Sequence, residues 1–311
     1  MLKRILSALF FIPLVIFAIF ETTTGGVVFL GLLLVVAFLT ACEYFELLGT
    51  EISRLSRIFG VAAVVATVSL CFVLGASLKN ISALLSEGEF GAYPELAGMV
   101  GEFASLVSIR IFAVTVLFLS LCLIVFFLIQ IRRTTFEGAF KEISLSFLAV
   151  PYIGFGFGSL AILHALPEKG KWLVLLAFII VWITDSFALF VGKLIGRHRL
   201  GIEASPNKTL EGSLGGLFFA LAAVAGLKFI FPEAYGGWGF MAWPELLALT
   251  FVFSIAGQIG DLAESVLKRS LGTKDSGGMI PGHGGLLDVF DAQLVVSPLM
   301  LGLVIILAGL Q

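Results

Sequence analysis

Nine apolar stretches, at 5–20, 26–42, 58–78, 107–131, 143–165, 172–192, 212–231, 244–261 and 287–309, take up most of the chain. About 20 apolar residues in a helix cross the hydrocarbon core of a bilayer. In lipid every backbone N–H and C=O must be satisfied internally, which leaves helices for runs of this length. The expected fold class is therefore all-α, a polytopic transmembrane helical bundle of about nine spans. Composition agrees, with 59% of the 311 residues hydrophobic and 13% charged, against about 25% charged in an average soluble domain. A soluble domain of this length keeps too much surface in water to hide such a chain.

Charge placement sets an expected orientation. With the N-terminus in the cytosol and the chain alternating, Lys79, Arg110, Lys169, Lys171 and Lys228 fall outside, and the other fourteen of the nineteen Lys and Arg fall inside. That is the asymmetry of cytosolic loops, and it puts Gln311 outside. The opening Met1-Leu2-Lys3-Arg4 and the apolar run after it lead into Glu21-Thr22-Thr23-Thr24 rather than a small-residue cleavage site, so a retained first span is expected. The first two spans are short enough to form a hairpin around the Thr-Thr-Thr-Gly-Gly turn. Residues 79–106 read as a solvated outer connector. A net charge of -2 points to no particular partner, and Cys42, Cys71 and Cys122 lie in or beside apolar runs as buried small hydrophobes. The placement of ionisable groups divides the chain into an N-terminal transmembrane region, 1–165, and a C-terminal transmembrane catalytic region, 166–311.

Four features of the second half exceed what a passive anchor needs. Asp185 lies inside span six, where a carboxylate costs roughly 2.5–3.5 kcal/mol on insertion scales and normally faces a cavity, a partner or a pathway. Ser205-Pro206-Asn207-Lys208-Thr209-Leu210-Glu211-Gly212 brings hydroxyls, a Lys and free amides to the start of span seven. That suits an anion, although an N-cap with a Pro turn explains the same residues. Asp261, Glu264, Ser265 and Lys268 stand at i, i+3, i+4 and i+7, one face of a helix. The run Lys274 to Asp291 packs glycines ahead of span nine, so its amides are placed to point at phosphate oxygens, and Asp288 and Asp291 share a face of that span's first turn. Hard carboxylate oxygens without a Cys or His cluster suit Mg²⁺ rather than zinc. No nucleophile elbow or P-loop is present. His164 lies near the outer end of span five and reads as structural, and the Gly154-x-Gly156-x-Gly158 run reads as helix packing.

The stretch Ser265 to Asp291, S-V-L-K-R-S-L-G-T-K-D-S-G-G-M-I-P-G-H-G-G-L-L-D-V-F-D, resembles the signature of the phosphatidate cytidylyltransferases. The Ser-Pro-x-Lys-Thr-x-Glu-Gly run at 205–212, Trp-x-x-Asp-x-x-Ala at 182–188 and Gly260-Asp261-Leu262 are also similar to that family, so the likeness covers roughly 180–291. Val289 departs from the family's usual Arg. The resemblance implies transfer of a cytidylyl group from CTP to phosphatidate, Mg²⁺ dependence with room for a second cation such as K⁺, and a multi-pass homodimer of the cytoplasmic (inner) membrane with its active site facing the cytosol. No nucleic-acid partner is implied. It also implies that Asp261 and Asp288 bind the metal. On this reading Asp261, Asp288, Lys268, Arg269, Lys274 and His283 carry the reaction. Asp185, Ser205, Lys208, Thr209, Glu264, Ser265, Asp275, Gly284, Gly285 and Asp291 bind substrate.

Two other readings compete. A CTP-dependent polyprenol or phytol kinase would move the terminal phosphoryl group to a lipid alcohol. A transporter would place ionisable groups along a through-path, whereas here they gather on one side.

Overall fold

The computed structural model describes the backbone of residues 2–21, 23–87, 94–132, 136–167, 169–230, 241–274, 276–279 and 284–308. Side chains are described for 11–21, 23–77, 113–132, 136–167, 169–230, 241–274, 276–279 and 284–306. The helices are α1 (Leu2–Phe20), α2 (Val27–Leu47), α3 (Arg54–Glu87), α4 (Pro94–Ile131), α5 (Ala139–Ala149), α6 (Phe155–Ala165), α7 (Gly170–Ile195), α8 (Leu210–Ile230), α9 (Trp243–Ser270) and α10 (Leu286–Ala308). No strand occurs among the described residues; an isolated bridge joins Arg199 and Thr209. Eight helical segments are long and apolar enough to cross a membrane, with α5 and α6 counting as one continuous span from Ala139 to Ala165. Among the residues whose side chains are described, α1 contributes the apolar stretch Phe11–Phe20.

Two boundaries differ from the sequence expectation. α3 runs to Glu87 and α4 starts at Pro94, so much of the stretch expected to be a solvated connector is helical. Residues 79–87 contain neither Gly nor Pro, and Pro94 takes the first helical position, where its missing N–H costs nothing. α9 does not end at 261 but continues to Ser270. Six of the nine added residues, 262–270, are Leu, Ala, Glu, Lys or Arg, good helix formers. The helix stops at Gly272, whose φ of 73° lets Thr273 N–H return to Lys268 O at 3.0 Å.

α5 and α6 are joined by a π-helical turn, Val150–Gly154. Pro151 supplies the cause, since its ring removes a backbone donor and crowds the preceding turn. π-turns of this kind recur at functional sites. The first two helices do form a hairpin: Glu21 accepts the backbone N–H of Thr23 at 2.6 Å and of Thr24 at 3.1 Å.

The core runs through α2, α6, α7, α9 and α10, with Tyr44, Phe45, Phe157, Leu160, Leu176 and Phe253 fully buried. Large apolar side chains such as Leu117 and Phe218 stand exposed on the bundle's outside, as suits a protein solvated by lipid. The two helices that frame the site approach through glycine: a Cβ on Gly212 would lie 2.6 Å from Ala188 O, and one on Gly216 would lie 2.6 Å from Thr184 O. α7 and α8 therefore touch backbone to backbone, the small-residue packing of membrane helices. The 154–158 glycines behave as expected of packing positions, facing Thr67, Leu294 and Cys71. His164 is buried, bonded through Nε2 to Ile19 O at 2.9 Å and stacked on Phe29. All three cysteines are free.

Candidate active site

The α7–α8 loop folds back on itself to form the first half of the site. Leu200 N–H reaches Lys208 O at 2.9 Å and Leu210 N–H reaches His198 O at 2.8 Å. Glu211, in the first turn of α8, accepts the N–H of Arg197 at 3.1 Å and pairs with His198 Nδ1 at 2.5 Å. Thr209 caps α8, accepting Gly212 N–H at 3.1 Å. Closed in this way, the loop aims Lys208 at α9, where its ammonium meets Asp261 Oδ2 at 2.7 Å. A cavity of about 320 Å³ opens here, lined by Asp185, Lys193, Ser205, Asn207, Lys208 and Asp261 among others. The buried Thr184–Ser254 hydrogen bond of 2.9 Å ties α7 to α9 one residue from Asp185.

The second half lies where α9, α10 and the glycine-rich loop meet. Lys268 sits between two carboxylates, 2.5 Å from Glu264 Oε2 and in direct contact with Asp288 Oδ1. The other Asp288 oxygen accepts three donors: Ser276 N–H at 3.1 Å, Ser276 Oγ at 2.9 Å and Gly285 N–H at 2.8 Å. Gly284 is required by conformation, since its φ is +91° and a Cβ there would strike the Asp288 carboxylate. Among the described loop amides, those of Ser276 and Gly285 close on Asp288. Arg269 is exposed and bridges the two loops, from Ala204 O to Thr273 O, each at 3.4 Å.

Gly260 connects the halves. A Cβ on it would lie 3.0 Å from Asp291 O and 3.1 Å from Ala292 Cα, so only glycine lets α10 come this close to α9. Asp291 is buried as a result, and Asp261, Asp185 and Glu264 all act on it electrostatically. Ser265 is half-buried on the same helix, and Val289 is half-buried beside Asp288. Lys274 is exposed at the loop's start. His283 and Asp275 lie outside the described residues.

The structure gathers Asp185, Asp261, Glu264, Asp288 and Asp291, with Lys208 and Lys268 as the lysines ion-paired to them. This excess of acid is the kind of donor set that takes a hard cation. No three His, Cys, Asp or Glu side chains among the described residues converge as a ready-made cage. Mg²⁺ asks for less, since it commonly uses one or two carboxylates and completes its shell with waters and substrate phosphates. As placed, Asp261 fits that role with Asp185 and Asp291 beside it. Asp288 fits it once an oxygen is released from Lys268.

Two residues from the N-terminal half reach the site without any motif to announce them. Tyr152, on the π-turn, buries a hydroxyl that has no hydrogen-bond partner among the described residues and lies near Asp291, Glu264 and Asp261. Glu43, on α2, is 1% exposed and accepts Leu287 N–H at 3.0 Å. Glu43 directly follows the apolar run 26–42, so a carboxylate at the end of a span is the sequence signal that could have found it.

Comparison with known proteins covers the same ground. The phosphatidate cytidylyltransferases of Staphylococcus aureus (strain COL) and Staphylococcus haemolyticus are each 40% identical to this chain over 162 residues, 52% of this chain and 59% of theirs. That of Staphylococcus epidermidis is 38% identical over a stretch of the same length. The chain thus spans about three-fifths of the length of these curated relatives. The model of the cytidylyltransferase family matches residues 2–307, which includes the N-terminal helices that carry Glu43 and Tyr152. Matched over nearly its whole length, the chain belongs to the cytidylyltransferase family.

Proposed function

We propose that this protein transfers the cytidylyl group of CTP to phosphatidate, giving CDP-diacylglycerol and pyrophosphate. The observation that carries the reading is the two-part polar site, a lysine-bearing cavity beside a cluster of carboxylates, in a chain of the cytidylyltransferase family. The names of its curated relatives support phosphatidate as the acceptor. A phosphatidate oxygen attacks the α-phosphorus of CTP, a new P–O bond forms, and the bond to the β-phosphate breaks to release pyrophosphate. The nucleophile is already ionised at neutral pH, so the protein need only align two polyanions and neutralise charge. Lys208 and Lys193 line the cavity where phosphates would enter. Lys268 holds the Asp288 carboxylate in place, Arg269 stands on the last turn of α9, and Lys274 on the adjoining loop.

Mg²⁺, held by Asp261 and Asp288, would supply charge neutralisation at the leaving pyrophosphate. The lysine and arginine asymmetry favours a cytosolic N-terminus and a site on the inner face of the cytoplasmic membrane, where CTP is available. Assembly as a homodimer belongs to the same reading.

Two outcomes test it. With purified protein, CTP and phosphatidate, pyrophosphate should appear in step with lipid product, vanish with chelator and return with Mg²⁺ or Mn²⁺. Release of CDP instead would indicate phosphoryl transfer, and full activity in chelator would remove the metal from the account. Arg269→Ala should raise the KM for CTP more than that for phosphatidate, because the guanidinium bridges loops flanking the cavity. A change confined to the lipid KM would move Arg269 to the lipid-phosphate side.

A further inference from the structure

Glu43 lies far in sequence from every motif at the site, yet it touches the loop that carries them. Its Oε2 accepts Leu287 N–H at 3.0 Å, one of the amides that α10 leaves unpaired at its start. Its Oε1 is buried with no hydrogen-bond partner among the described residues. A Cβ on Gly277 would lie 2.8 Å from Oε1, and one on Gly285 would lie 2.6 Å from Oε2. Both ends of the glycine-rich loop are therefore pressed onto this one carboxylate. On the loop's other contact, Asp288 holds Ser276, the neighbour of Gly277, and Gly285 itself.

We infer that Glu43 is a positioning residue that clamps the glycine-rich loop and the start of α10, and through them sets where Asp288 and Lys268 stand. The physical reasons are three. A carboxylate at a helix N-terminus is favoured by the backbone dipole. A buried carboxylate with an unused oxygen is expensive, so a bland apolar residue would stabilise the bundle better. The glycines at 277 and 285, having no Cβ, let the loop backbone lie directly against its two oxygens. α2 thereby becomes part of the catalytic half, which explains why α2 and α10 pack together.

This inference rests on the proposed cytidylyl transfer for its kinetic arm and is independent of it for the other. In the kinetic arm, Glu43→Ala should lower kcat about tenfold or more, and Glu43→Gln, which keeps an acceptor for Leu287, should recover most of it. Because Glu43 acts through Asp288, the Glu43→Ala/Asp288→Asn double variant should be about as slow as Asp288→Asn alone. In the second arm, trypsin cleavage after the exposed Lys274 is followed on detergent-purified protein by the mass of the released fragment. Glu43→Ala should be cut about tenfold faster than wild type, and Glu43→Gln at nearly the wild-type rate. If Glu43→Ala cannot be purified, Glu43→Asp, which withdraws the acceptor by one methylene, should show the same faster cleavage. Wild-type cleavage in Glu43→Ala or Glu43→Asp overturns the clamp. Losses that multiply with Asp288→Asn overturn the route through Asp288. An inactive wild-type enzyme would defeat the proposed function and leave the cleavage arm to decide on Glu43.

Discussion

Replacing Asp261 or Asp288 with Asn should lower the proposed cytidylyl transfer at least about a hundredfold, the usual cost of one lost charge-stabilising group. The two losses have different local causes. Asp261→Asn removes the partner of Lys208 at the cavity wall. Asp288→Asn replaces an acceptor of three hydrogen bonds and a lysine contact by a group that accepts at only one end. If both carboxylates serve one Mg²⁺, the double variant is scarcely slower than the worse single variant, because residues that act as a unit do not add. Steady-state rates on protein that elutes as the wild type does provide the check. Turnover near the wild-type level in either single variant would remove that residue from the machinery.

Lys268→Met is expected to be the most damaging single change to the fold of the site. Its ammonium is the cation between Glu264, whose side chain is 0% exposed, and Asp288, at 11%. Removing one partner of a buried ion pair costs about 3–5 kcal/mol, because the remaining charge has no compensation. The apparent unfolding midpoint in detergent should fall and activity should disappear. Adding Glu264→Gln to Lys268→Met should recover part of the stability by removing one stranded charge, and none of the activity, since Asp288 still lacks its partner. A Lys268→Met protein as stable as wild type would mean that the two acids are neutralised by something other than this lysine.

The bundle was legible because lipid imposes a length and an apolar composition that few other folds share. Apolar runs located the helices and failed mainly at their ends, where polar but helix-favouring residues carry α3 to Glu87 and α9 to Ser270. The stripe from Asp261 to Lys268 was legible because a helix repeats its faces, and α9 does continue through it. What spacing alone did not reveal is who pairs with whom. Lys208 reaches Asp261 across fifty-odd residues of chain, and Lys268 takes Asp288 rather than an acid on its own helix alone. Nor did the glycine pattern reveal that the amides of Ser276 and Gly285 bind Asp288, or that Leu287 at the start of α10 binds Glu43. Glu43 and Tyr152 stayed hidden because neither belongs to a motif and neither lies near the other site residues in sequence. Only packing of α2 and the π-turn against α10 brings them in.

The central claim is that the α-phosphorus of CTP, not its γ-phosphorus, becomes attached to lipid. It is tested most directly by incubating purified protein with phosphatidate and Mg²⁺ and with CTP radiolabelled at one phosphorus or the other, then extracting into chloroform. The account predicts that α-label enters the lipid phase only when phosphatidate is present, while γ-label stays in water as pyrophosphate. Transfer of γ-label into lipid, with α-label left behind as CDP, would contradict it.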